Sequence, residues 1–248
     1  MIDLPLLLAM FTTFLLAGAV KGVIGLGLPT VSLGLMTVVL DLPSAMALMV
    51  IPSLVTNLWQ ALIGGHAKPV FQRIWPFLLV AGTTVWIGAE GLSALDLNLL
   101  SSLLGALLIA YAGLNLAGVR IAISQRNEPW SAPLFGAANG ILTGLTGSFV
   151  VPGVMFLQAI GLPRDQLVQA MGMLFTVSTL ALALALGRHG LWSAELGWLS
   201  LGAIIPAVYG MILGGWLRNR LSEDVFRKVF FLSLLVLGLW IVTQAVTG

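Results

Sequence analysis

Lys21 stands in apolar sequence and is followed closely by Gly25, Gly27 and Pro29. Much later, Asn139 is followed by Thr143, Gly144, Thr146, Gly147, Ser148 and Pro152. Both stretches place polar groups, glycines and a proline where a continuous hydrophobic helix is otherwise expected. The chemistry these residue types suit is binding rather than bond-making. Glycine adopts backbone conformations closed to other residues, and non-helical backbone at membrane depth must be buried in protein or line a cavity. Amides freed at the start of a following half-helix, near residues 29–32 and 148–152, present a positive dipole end to an anion. Lys21 adds a full positive charge. Asn139 offers a neutral donor and acceptor, and Thr143, Thr146 and Ser148 offer hydroxyls to anion oxygens. Asn57, on the helix after the first break, is a further candidate to line a path.

Each of these residues also has a plainer use. Lys21 suits a cytoplasmic anchor between two complete helices, because 4–20 and 22–41 are each long enough to span. Gly18 with Gly22, and Gly136 with Gly140, have the small-xxx-small spacing of helix packing. Asn57, Gln60, Gln158 and Gln169 suit interhelical hydrogen bonds, and the hydroxyls suit freed carbonyls. Glu90 fits either a proton-coupling carboxylate or the outer interface with its head near water. Asp41 and Asp96 are placed as helix N-caps. His66 and His189 fall in opposite loops, without a metal motif around either.

The elements that must hold these residues are set by composition. The 248 residues are 59% hydrophobic and 8% charged, with mean hydropathy +1.06. A soluble domain carries about 25% charged residues, so the chain is an integral membrane protein. Stretches 4–20, 22–40, 42–63, 97–119, 196–217 and 229–247 contain no Lys, Arg, Asp or Glu. Spans of about 20 apolar residues match the hydrocarbon thickness. Barrel strands would alternate in polarity, whereas these runs are continuous, so the spans are helices. The chain has no cysteine, which excludes disulfides and thiolate sites. The start, without basic residues ahead of the first apolar run, reads as a first helix rather than a signal peptide. Trp59, Trp75, Trp192, Trp198 and Trp216 fall near expected span ends, where aromatic belts form.

The glycine-rich stretches extend into a weak duplication. Leu42-Pro43 follows the first and Leu162-Pro163 the second; Gly88 precedes Leu95-Asp96 as Gly214 precedes Leu221-Ser222. In this alignment Lys21 corresponds to Asn139. The expected fold is an all-α membrane protein forming a single transmembrane domain, 1–248, of two inverted repeats. Repeat one covers about 1–120, the linker 120–132, and repeat two about 130–248. Each repeat holds one broken or re-entrant segment, 4–41 or 130–161, plus three plain helices. Those are 43–64, 74–95 and 98–119, then 165–187, 196–217 and 225–247. If each broken segment returns to its starting side, Lys68, Arg73, Arg120, Arg126, Arg164, Arg218, Arg220, Arg227 and Lys228 share one face. Arg188 alone then occupies the other. The positive-inside rule favours that arrangement and predicts both termini in the periplasm.

The Gly18-x3-Gly22-x2-Gly25-x-Gly27 run, its second copy near Gly136–Gly147 and the duplication resemble the sulfite exporter TauE/SafE family, over about residues 10–245. The resemblance implies a bacterial inner-membrane permease for a small sulfur-containing or organic anion, such as sulfite or a sulfonate. The sequence departs from the usual glycine cluster at Leu28-Pro29-Thr30 and at 148–152, which leaves the substrate open.

The residues themselves favour a secondary permease working by alternating access, with a small anionic substrate and the lipid bilayer as partners. A Walker A pattern is absent, so the chain does not itself hydrolyse ATP. His-Glu-x-x-His, paired intramembrane aspartates and a Gly-x-Ser-x-Gly elbow are also absent, which disfavours an enzyme. A channel or a non-catalytic membrane subunit remains the alternative. No cofactor and no nucleic acid are expected; coupling to a proton or cation gradient, and a homodimer, are both compatible with the sequence.

Overall fold

The computed structural model describes residues 4–119, 121–218, 220 and 222–247. Arg120 and Leu221, used above in the charge count and the repeat, lie outside the described residues, as do both termini. Among the described residues the chain is all helical. The first half of the chain supplies α1 (Leu4–Ile24), α2 (Leu28–Met36), α3 (Leu42–Leu62), α4 (Ala67–Ala94) and α5 (Leu97–Leu116). The second half supplies α6 (Glu128–Thr146), α7 (Gly153–Ala159), α8 (Arg164–Arg188), α9 (Ala194–Gly202), α10 (Ile204–Arg218) and α11 (Glu223–Thr247). Seven stretches, with α9 and α10 counted together, are long and apolar enough to cross a membrane.

Helix ends follow local chemistry. The Asp96 carboxylate accepts from the amides of Asn98 and Leu99, capping α5 as expected. Asp41 accepts from the Ser44 amide at 2.8 Å and opens α3 in the same way. Two boundaries differ from the sequence reading. Residues 67–73, expected in a loop, form the first turns of α4; Pro69 falls in the first turn, where a missing N–H costs nothing. The plain helix expected over 196–217 divides at Ala203. Pro206 cannot donate to the carbonyl of Gly202 and its ring crowds that carbonyl.

The helices fall into two compact units, and each draws on both halves of the sequence. The first comprises 1–52, 96–119 and 191–248. Within it α1 packs on α10, and α5 on α11. Small residues allow the close approach. A Cβ on Gly18 or Gly22 would strike the carbonyl oxygens of Ala207 or Met211, and one on Gly210 or Gly214 those of Leu15 or Ala19. Gly105 and Gly238 face each other's carbonyls at 2.7 and 2.8 Å in the same sense. Packing of this kind supplies dispersion contacts where lipid removes any hydrophobic drive between helices.

Pro52 gives the first unit its polar contact. Without an N–H it cannot serve the carbonyl of Leu48 one turn back. Ser200 Oγ donates to that oxygen at 2.7 Å and accepts from the Ile51 amide at 3.2 Å. Ser200 is fully buried. Ser200→Ala should therefore lower stability by about 1–3 kcal/mol, the cost of an orphaned buried carbonyl. Unfolding of purified protein in detergent measures this, and an unchanged midpoint would refute the assignment.

The second unit comprises 53–95 and 120–190. Here α4 packs on both α6 and α8, with Gly136, Gly140 and Gly144 of α6 against α4 backbone. Gln169 donates to the Ala61 carbonyl at 2.8 Å and accepts from the His66 amide at 3.0 Å. One side chain thereby serves the end of α3 and the start of α4, both of which leave backbone groups unpaired. Gln60 donates to the Val168 carbonyl at 2.8 Å. Arg73 forms a two-pronged pair with Glu128, both bonds at 2.9 Å, and also donates to the Ile160 carbonyl at 2.8 Å. It thus ties the starts of α4 and α6 to the end of α7.

Candidate functional site

The first break lies in the first unit. α1 ends at Ile24, and the Gly25 amide donates back to the Lys21 carbonyl at 2.8 Å. Gly25 has φ 78° and Gly27 φ 113°, both in the left-handed region that L side chains avoid. The Gly27 carbonyl accepts the first bond of α2, from Val31 at 2.7 Å. No side chain caps α2, and Pro29 sits in its first turn. Ser32 donates to the Leu28 carbonyl at 2.6 Å, so its hydroxyl hydrogen serves α2 itself. Lys21, in the last turn of α1, is only 3% exposed. An interfacial anchor would keep its ammonium in the headgroup region.

The second break lies in the second unit. Gly147 closes α6 with φ 71°, its amide donating to the Thr143 carbonyl at 2.7 Å. Thr143 Oγ1 donates to the Ser148 carbonyl at 3.1 Å, and Thr146 Oγ1 to the Leu142 carbonyl at 2.7 Å. The Ser148 amide is taken by Thr146 Oγ1 at 3.2 Å. After Pro152 the chain enters α7, whose leading amide, on Gly153, donates to Asn139 Oδ1 at 3.0 Å. The Thr143 and Thr146 hydroxyls, expected to meet a ligand, thus donate to backbone carbonyls. Asn139 caps α7 across the gap.

The breaks share a register. Gly18 and Gly22 face the carbonyls of Ala207 and Met211, as Gly140 and Gly144 face those of Ala81 and Val85. Gly25 and Gly147 then close their helices with the same bond and the same sign of φ. By this register Lys21 corresponds to Thr143, not to Asn139 as the sequence spacing suggested. The second break is the longer, running over 147–152 against 25–27, and only the contacts along α1 and α6 show where the extra residues fall.

The expected site residues lie at these breaks, buried apart from the half-buried Gly25 and Pro152, and two others are placed elsewhere. Gly144 belongs to the stripe packed on α4, and Asn57 is fully buried on α3, 3.4 Å from Thr179 Oγ1. Gln169 and Gln60 hold helices together, and Gln158 is exposed. Glu90 lies 3.8 Å from His189 Nε2 and is largely exposed. Two residues escaped the sequence reading: Ser53 and Ser178 are fully buried, and their hydroxyls have no hydrogen-bond partner. The signal for Ser178 was the lone Ser-Thr pair inside the apolar run of α8.

Both breaks demand glycine. Gly25→Val and Gly147→Val should each lower stability by about 1–3 kcal/mol, the usual cost of a strained backbone, with β-branching at the upper end. Asparagine, which tolerates the left-handed region, should be milder at both. Unfolding midpoints and flux measured on the same preparations would test this; valine behaving like asparagine would show that the φ constraint is unimportant.

Seven helical stretches long and apolar enough to cross a membrane define an integral, multi-pass membrane protein. The profile of the family described as Sulfite exporter TauE/SafE matches residues 10–241, and the chain belongs to that family. Its members are membrane permeases rather than enzymes. No curated protein matches the chain, and no solved structure does.

Proposed function

We propose that the chain is a secondary permease that carries a small sulfur-containing or organic oxyanion, such as sulfite or a sulfonate, across the bacterial inner membrane. The observation that carries this reading is the pair of helix breaks in matching register, with buried Lys21 in the last turn before the first. Interrupted helices in corresponding halves mark binding sites in transporters built from inverted repeats. The one-for-one match of Gly18, Gly22 and Gly25 with Gly140, Gly144 and Gly147 supports a duplication. The loop charges support opposite orientations of its copies, with both termini periplasmic. Lys21 neutralises the anion, and the uncapped start of α2 adds partial positive charge. Alternating access exposes the site to each side in turn.

Reconstituted protein supplies the test. Sulfite or methanesulfonate flux into liposomes should saturate and should be accelerated by unlabelled substrate on the far side. Flux without saturation or counterflow would make the protein a channel, and absence of flux would remove this substrate class. A reporter fused after Gly248 should be active only when it reports periplasmic exposure.

A further inference from the structure

We infer that Asn139 and Ser178 form a donor pair in the second unit that binds two oxygens of the transported anion. The inference rests on the permease reading above and assigns the substrate's recognised atoms. Hydroxyls in this unit give their hydrogens to backbone: Thr143 to Ser148, Thr146 to Leu142, Thr176 to Gly172 and Thr179 to Phe175. Three buried donors do not: one is Ser53 Oγ on α3, and the other two stand on α6 and α8, which meet at the start of α7. Asn139 Nδ2 and Ser178 Oγ have no partner, although both residues are fully buried. Asn139 is oriented unambiguously, because its Oδ1 accepts from the Gly153 amide. The group left over can only donate.

Both donors stand on helices that converge on the start of α7. A Cβ on Gly153 would touch Asn139 Oδ1 and would lie 2.8 Å from Leu174 Cδ2. The missing side chain of Gly153 therefore leaves α6 at Asn139 and α8 at Leu174 converging on the start of α7. Ser178 lies one turn beyond Leu174 on the same face of α8. Phe149 of the break packs on Phe175 with ring centroids 6.1 Å apart, which brings the break to the same level of α8.

No Lys, Arg, Asp or Glu of this unit is buried among the described residues, so recognition here uses neutral donors. Such donors strengthen in a low-dielectric interior and discriminate sharply against ligands lacking an acceptor. The substrate class is a compact oxyanion with at least two unprotonated oxygens on one central atom. A halide does not meet that requirement.

Thermal stabilisation of the purified full-length chain by sulfite, methanesulfonate and chloride tests the assignment. Wild-type protein should respond to both oxyanions and not to chloride. Ser178→Ala should weaken oxyanion binding about tenfold or more, as expected for loss of a hydrogen bond to a charged group. Its midpoint without ligand should be unchanged or higher, because an unpaired buried hydroxyl has been removed. Ser178→Thr should retain binding. Asn139→Asp keeps an acceptor for the Gly153 amide and should abolish binding by repulsion. Wild-type affinity in Ser178→Ala and Asn139→Asp would overturn the donor pair while leaving the permease reading intact. A lowered midpoint in ligand-free Ser178→Ala, with binding preserved, would assign the hydroxyl to an internal water and also overturn it. If neither oxyanion stabilises wild-type protein, the substrate class and the donor pair fail together.

Discussion

Gly144→Ala should sharply reduce the amount of folded protein recovered from the membrane, although it adds one methyl group. The new Cβ would strike the Val85 carbonyl oxygen and lie 2.5 Å from the Ala89 nitrogen and 2.7 Å from the Gly88 carbonyl carbon. All three are backbone atoms in α4, so no rotamer change relieves the clash. Gly88 is constrained reciprocally, its Cβ position striking the Ile141 carbonyl and lying 2.9 Å from Gly144 Cα. Relief requires α4 and α6 to separate, and overpacking of this kind costs about 3 kcal/mol or more when nothing yields. Gly113→Ala is the control, since no atom lies within 4 Å of its Cβ position. There the helix should gain up to about 1 kcal/mol from alanine's propensity. Size-exclusion yield and unfolding midpoint should move in opposite directions for the two variants. Equal behaviour would show that the α4–α6 contact does not limit stability.

Lys21→Met should insert normally and lose oxyanion transport. Methionine retains much of the stem's length and removes the ammonium from a buried position. Truncating one partner of a buried, hydrogen-bonded charge pair costs about 2–5 kcal/mol of binding, which is a factor of about thirty or more in affinity. Lys21→Arg should keep part of the activity, because charge is preserved and shape is not. Flux in proteoliposomes, normalised to folded protein, measures both. An orientation anchor would give another result: nine further basic residues stand on the expected cytoplasmic face, so transport would change little. Unchanged substrate affinity in Lys21→Met would remove Lys21 from the site and leave the helix breaks as the support for an anion.

The sequence alone determined the solvent of this protein and the places where its helices fail. Long charge-free runs can only be spanning helices in lipid, because backbone groups must pair within their own segment. Gly25, Gly27 and Gly147 mark breaks because the required φ is open to glycine, a local property readable without any neighbour. Asp41 and Asp96 announced helix starts for the same reason. Which side of each helix meets protein was not readable. In runs such as 97–119 or 229–247 nearly every residue is apolar, so hydrophobic periodicity cannot separate a packed face from a lipid face. Tertiary structure therefore decided that Gly144 packs on α4, that Asn139 caps α7, and that Lys21 matches Thr143. It also decided that Ser200 serves the carbonyl left by Pro52 and that Ser178 is buried without a partner. Each of these depends on a helix distant in the chain, and no local residue pattern specifies which helix that is.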